Sequence, residues 1–277
     1  MKIVLLIGLS VVCCWTQTVA AETMVERGRY IVEVIGACGN CHTPQGPGGP
    51  DESRHLAGGN PIEEPGMVAI PRNITPDMET GIGAWTDAQI ITAIREGVRP
   101  DGRVLGPPMP FGMYRQISDR DVAAIVAYLR MVKPVNNQPE PSSYDFPLPE
   151  SWGPPVDQVP EPDRTDEVAY GAYLAGPLGH CIECHSTPDA HGFPDLENAL
   201  GAGGMLFHGP WGVSAATNLT PTGLSGKSDA EIKQIITTGM RADGSRLRPP
   251  MGFSYYAHLT DGDLDAIVAY LRSLPPR

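Results

Sequence analysis

The chain has 277 residues, 41% of them hydrophobic but only 6% aromatic, with 32 Gly and 29 Pro. That length suits about two domains; so few large apolar side chains among so many loop formers leave a thin core that a large apolar cofactor would complete. A formal net charge of −12 argues against nucleic acid and against an anionic membrane surface as partners, and favours a basic patch on another protein.

In chain order, residues 1–21 read as a cleaved secretory signal: Lys2, an apolar run from Ile3 to Cys14, then small residues from Thr18 to Ala21. Thr16, Gln17 and Thr18 interrupt the run, which falls short of the roughly 20 apolar residues of a spanning helix. Val12 and Cys13 precede Cys13 and Cys14 where a lipid-bearing cysteine would follow a small residue. An exported, periplasmic protein is expected, with no transmembrane anchor in the mature chain.

Residues near 24–131 and 167–273 then repeat one another. Gly28 and Tyr30 correspond to Gly171 and Tyr173, and Cys38-Gly39-Asn40-Cys41-His42 to Cys181-Ile182-Glu183-Cys184-His185. Asn73-Ile74-Thr75-Pro76 answers Asn218-Leu219-Thr220-Pro221, and Pro107-Pro108-Met109 answers Pro249-Pro250-Met251. Each copy closes on the same seven residues, Ala124 to Arg130 and Ala266 to Arg272. Thr86 to Gln89 and Ser228 to Glu231 are capping boxes, predicting helices that stop at Gly97 and Gly239. Ser118 and Thr260 are expected to cap the last helix of each copy. Val122, Ile125, Val126 and Leu129 form an apolar stripe at helical spacing, repeated by Leu264, Ile267, Val268 and Leu271. No strand alternation stands out. Residues 133–165 hold nine prolines and read as a stiff linker, with Tyr144, Phe146 and Trp152 expected to lie against its neighbours.

With Cys13 and Cys14 removed, four cysteines remain, in two Cys-x-x-Cys-His units. Two thiols so spaced on a helical turn reach the two vinyl groups of one porphyrin, and the following His lies under its iron. This is the c-type haem attachment pattern. Two covalently bound haem c groups are expected, held by Cys38, Cys41, Cys181 and Cys184, with His42 and His185 as axial ligands. Disulfides or a zinc site would leave the adjoining His unexplained. For the far side of each iron the choice is Met109 and Met251, which follow their His by 67 and 66 residues within matching Pro-Pro-Met loops. Core filling is the bland reading of a Met. Met113 is a competitor in the first copy only; His55, His191, His208 and His258 have no counterparts between copies. Asn73, Thr75, Asn218 and Thr220 either meet the haem edge or cap turns. Tyr30, Tyr128, Tyr173 and Tyr270 are expected to pack between the first and last helices of their copies.

Both copies resemble class I cytochrome c domains. The stretch from Leu56-Ala57-Gly58-Gly59 through Asn73 to Asp77, Glu79 to Gly83, Trp85 and Arg95 to Arg99, ending at Met109-Pro110, is similar to cytochrome c subunits of periplasmic alcohol and gluconate dehydrogenases. Those subunits usually carry three haem domains and often a C-terminal anchor, where two domains and no anchor are read here. The resemblance implies a mostly α fold with extensive loops. Signal 1–21, first domain 22–132, Pro-rich linker 133–165 and second domain 166–277 are its expected parts. It further implies periplasmic electron transfer. Single electrons would pass from a dehydrogenase toward a terminal oxidase or small cytochrome, with no substrate chemistry, because His/Met ligation leaves no open position on iron. A peroxidase-like dihaem enzyme, or a haem-containing subunit of a dehydrogenase complex, is the alternative.

Overall fold

The computed structural model describes residues 22–46, 48–190 and 192–277. The expected signal, residues 1–21, lies outside the described residues, and so does His191.

The described residues form ten α-helices, two π-helical turns and short antiparallel hairpins. In the first repeat α1 (Met24–Tyr30) runs on into a π turn (Ile31–Ile35), followed by α2 (Gly39–His42), α3 (Asp87–Glu96), α4 (Phe111–Tyr114) and α5 (Asp119–Leu129). The second repeat keeps that order with α6 (Glu167–Tyr173), a π turn (Leu174–Leu178), α7 (Cys181–Cys184), α8 (Asp229–Thr238), α9 (Phe253–Tyr256) and α10 (Asp261–Ser273).

The helices begin and end where the sequence predicts. Thr86 and Ser228 accept hydrogen bonds from the backbone of Gln89 and Glu231, whose side chains bond back to the cap residues. Gly97 and Gly239 close these helices in the left-handed conformation, at φ 66° and 68°. Ser118 and Thr260 cap α5 and α10, and both apolar stripes are buried.

Within each repeat the first helix packs on the last, α1 on α5 and α6 on α10. Gly28 and Gly171 set that crossing: a Cβ on either would stand 1.9 Å from the carbonyl oxygen of Ala124 or Ala266. Arg130 and Arg272 then tie the last helix to the start of α3 and α8, through Asp87 at 2.8 Å and Asp229 at 3.0 Å. Tyr128 and Tyr270 place their Cβ atoms against Gly28 and Gly171, as expected of residues between the first and last helices.

Tyr30 and Tyr173 do something else. Tyr30 Oη donates to Asp263 Oδ2 at 2.6 Å and accepts from the Thr260 amide. Tyr173 Oη donates to Asp121 Oδ2 at 2.8 Å and accepts from the Ser118 amide. Each tyrosine thus reaches the cap of the final helix in the opposite repeat. The π turns touch one another, α4 packs on the second π turn and α9 on the first. Buried residues of both repeats form one continuous cluster.

Strands are present where no alternation stood out, because each is short and mostly uncovered. β1 (Gln45–Gly46) pairs with β2 (Gly49–Pro50), and β3 (Ile62–Glu64) with β4 (Met67–Ala69), Ile62 opposite Ala69. Residues 133–165 lend a strand of their own: β5 (Ser143–Tyr144) pairs on β4, Met67 opposite Tyr144. In the second repeat β6 (Leu206–Gly209) pairs with β7 (Gly212–Ala215). The proline-rich segment also stacks Trp152 on Phe111 at 5.6 Å and hands its indole proton to the Leu105 carbonyl. Phe146, by contrast, is 41% exposed.

Candidate functional site

In each repeat a π turn delivers the chain through a glycine, Gly36 or Gly179, into the short helix that carries the predicted attachment residues. A π turn widens the helix by one residue and is common beside functional groups; here it re-aims the helix just before the first thiol. Among the described residues the four cysteines form no disulfide. Burial pushes the Cys38 thiol up to about 12 and those of Cys41 and Cys181 up to about 11. Burial also raises Cys184, with the neighbouring Glu183 carboxylate adding to it.

The two histidines are held alike. His42 Nδ1 donates to the Arg72 carbonyl at 2.7 Å, and His185 Nδ1 to the Thr217 carbonyl at 2.7 Å. Both carbonyls stand one residue before the Asn-x-Thr-Pro loop. Such a bond fixes ring orientation and tautomer and leaves Nε2 as the nitrogen able to ligate a metal. Burial lowers the pKa of both rings, outweighing the carbonyl bond, and so favours the neutral imidazole that ligation needs.

Asn73 and Thr75 are buried and spoken for within the chain. Asn73 Oδ1 accepts from the Thr75 amide at 3.0 Å and hydroxyl at 2.8 Å, and its Nδ2 donates to the Val135 carbonyl at 2.8 Å. Asn218 Oδ1 accepts from the Thr220 amide and hydroxyl at 2.8 and 2.7 Å, and its Nδ2 donates to the Arg277 carbonyl at 3.0 Å. The same loop is therefore closed by the segment after the last helix in both repeats.

Met109 and Met251 are half-buried against the core. Tyr144 Oη braces the first Met loop through the Pro107 carbonyl at 2.9 Å, and Ser214 Oγ braces the second through the Pro249 carbonyl at 2.7 Å. Met113 is buried in the core cluster. Among the other histidines His55 is held by Glu33 at 2.8 Å and His208 by Glu64 at 2.7 Å, while His258 is exposed.

A basic group beside the first site is not evident from the sequence. Burial and the nearby Arg99 and Arg103 lower the Arg72 pKa. Arg99 lies over the Trp85 ring at 5.7 Å, and its Nε is buried without a hydrogen bond, with Asp101 Oδ2 3.5 Å away. A buried guanidinium nitrogen left over in this way calls for an acceptor, which the carboxylates of a bound porphyrin would supply. Thiol pair, oriented imidazole and half-buried thioether together fit a covalently attached haem, with one Arg99 nitrogen beside them that lacks a hydrogen bond.

Comparison with known proteins agrees. Residues 25–133 match the cytochrome c family model. The chain is 31% identical over 257 residues to a diheme cytochrome c-type protein of Cereibacter sphaeroides, covering 87% of this chain and 82% of that one. It is 34% identical over 278 residues to the cytochrome c subunit of a quinone alcohol dehydrogenase of Komagataeibacter europaeus, covering 93% of this chain and 57% of that one. It is 35% identical over 265 residues to one of the nicotinate dehydrogenase subunits of Pseudomonas putida, covering 92% of this chain but only 22% of that much longer protein. No helix among the described residues is long and apolar enough to cross a membrane. The chain belongs to the cytochrome c family.

Proposed function

We propose that this chain is a periplasmic dihaem cytochrome c that passes single electrons from a dehydrogenase toward a terminal oxidase or a small cytochrome. In this reading Cys38 and Cys41, then Cys181 and Cys184, hold the two porphyrins as thioethers. His42 with Met109, and His185 with Met251, would ligate the two irons. The haem supplies a reversible one-electron couple when bound. The chain orients each imidazole through the Arg72 or Thr217 carbonyl, keeps all four cysteines half-buried, and braces each Met loop through a proline carbonyl. Asn73, Thr75, Asn218 and Thr220 keep the loop at the haem edge in shape. A His/Met pair raises the potential relative to two nitrogen ligands, which suits an acceptor placed late in an electron chain.

The observation that carries this reading is the twofold occurrence of one arrangement: a thiol pair whose adjoining His gives Nδ1 to a carbonyl at 2.7 Å. The relative that is the cytochrome c subunit of an alcohol dehydrogenase supports a dehydrogenase as the donor. Protein isolated from an expression host with haem-attachment machinery should be heavier than the processed chain by two porphyrins and show the reduced band of thioether-linked haem. A mass without porphyrin, or one showing disulfides, removes the reading. Peroxidase turnover by the fully loaded protein would assign it substrate chemistry instead.

A further inference from the structure

Where the repeats meet, the attachment helix of the first lies against the Met loop of the second. Asn40, between Cys38 and Cys41, donates from Nδ2 to the Pro250 carbonyl at 3.0 Å. Pro250 is the residue before Met251. Beside this bond, a Cβ on Gly39 would stand 2.7 Å from Tyr255 Oη, and one on Gly252 3.5 Å from the Ala37 Cβ. Gly39 thus faces Tyr255, and Gly252 faces Ala37, across the contact.

The opposite crossing is built differently. Glu183 takes the place of Asn40, and Tyr114 meets His180, the residue before Cys181, with ring centroids 5.9 Å apart. Among the described residues no side chain of α7 bonds the Pro108 carbonyl. Glu183 instead stands 3.8 Å from His180 Nδ1, whereas Asn40 offers an amide N–H to the facing carbonyl.

We propose that Asn40 is a positioning residue that couples the two redox sites, joining the first haem's attachment helix to the distal-ligand loop of the second. This rests on the ligand assignment above. The path runs from the Cys41 thioether through the Asn40 side chain and one hydrogen bond to the Pro250 carbonyl, then along the backbone to Met251. The step it serves moves one electron from the iron held by His42 to the iron held by His185, or back. One iron is oxidised and the other reduced, and no covalent bond or proton is exchanged. The same bond holds Met251 from the outside while Ser214 holds the Pro249 carbonyl from within the second repeat.

The test uses the holoprotein with both haems attached. One electron is delivered by a short reductive pulse, and its redistribution between the two sites is followed once both potentials have been titrated. Asn40→Ala and Asn40→Asp, which both remove the donor, should slow redistribution several-fold and alter the ferric charge-transfer band of the second Met–iron bond, leaving the first unchanged. Arg120→Ala, which removes only an exposed ion pair with Glu161, should leave redistribution near the wild-type rate. Wild-type redistribution in Asn40→Ala overturns the proposal, as does an equal slowing by Arg120→Ala. A wild-type protein lacking either haem or either Met–iron band overturns the ligand assignment, and the coupling with it.

Discussion

Burial bears on the chemistry of the proposed ligand residues. Imidazoles enclosed by protein and committed through Nδ1 are neutral, oriented donors, and the softer thioether opposite should set the potential. Met109→Ala and Met251→Ala should each lower the potential of one haem and open that iron alone to carbon monoxide; potentiometry with carbon monoxide titration reads both. Unchanged ligation in either variant would reassign that position. Arg27 and Asp121 matter for stability rather than redox chemistry. Their bidentate contact has both bonds at 2.8 Å, with side chains 3% and 2% exposed, so the buried-pair range applies and not the surface one. Arg27→Ala should cost about 3–5 kcal/mol. Burial alone would raise the Asp121 pKa, but the Arg27 bonds and charge and the Tyr173 hydroxyl outweigh it and hold the carboxyl below its ordinary value. A carboxylate depressed in the folded state stabilises above its unfolded pKa of about 3.9, and that contribution disappears as pH falls through the lower folded value. Melting temperature should therefore drop in acid, and less steeply in Asp121→Asn; equal acid sensitivity in the two proteins would deny Asp121 this role.

Among the elements, the crossing of α1 on α5 tolerates no side chain at Gly28. A methyl there meets a backbone carbonyl at 1.9 Å, and backbone yields less readily than a side chain. Gly28→Ala should cost about 3 kcal/mol, the upper end of the overpacking range, and denaturant unfolding would show it as a lower midpoint; a loss below about 1 kcal/mol would mean the helices slide apart freely. Much at this scale is legible in sequence because it is local. The capping boxes at Thr86 and Ser228, the stops at Gly97 and Gly239 and the stripes on α5 and α10 depend on neighbours a few residues away. The thiol pairs with their His are legible for the same reason. The first π turn is not, since Ile31–Ile35 carries an ordinary apolar pattern; in the second, Gly176 and Pro177 mark a disturbed helix without specifying a π turn. Sequence places Tyr30 and Tyr173 inside their own repeats, because it does not say how two copies face one another. The Arg72–Arg99–Trp85 group is hidden by the same limit, its members being spread over 28 residues.

For the molecule as a whole, the formal charge of −12 and the sequence pI near 4.9 set its long-range behaviour. Encounter with a basic redox partner should be fast at low salt and slow as ionic strength rises and the screening length shortens to about 8 Å at physiological salt. Stopped-flow electron transfer to a basic acceptor, measured against salt, should show this decline; a rate that rises with salt would point to an acidic partner. Inside the molecule, the crossed tyrosine bonds and the shared core hold the repeats in one relative orientation. The interval between the two proposed redox centres would thus be a property of the folded chain and not of tether length.

The proline-rich segment is a strap, and its route limits how the molecule can be dissected. Val135 and Asn137 clasp the Asn73–Thr80 loop, Tyr144 holds Pro107, and Trp152 covers Phe111. A fragment cut at residue 133, where the family match stops, would forfeit all of these. Severing the chain beyond Trp152 keeps them, so a single-haem miniature of the first repeat must carry the strap with it.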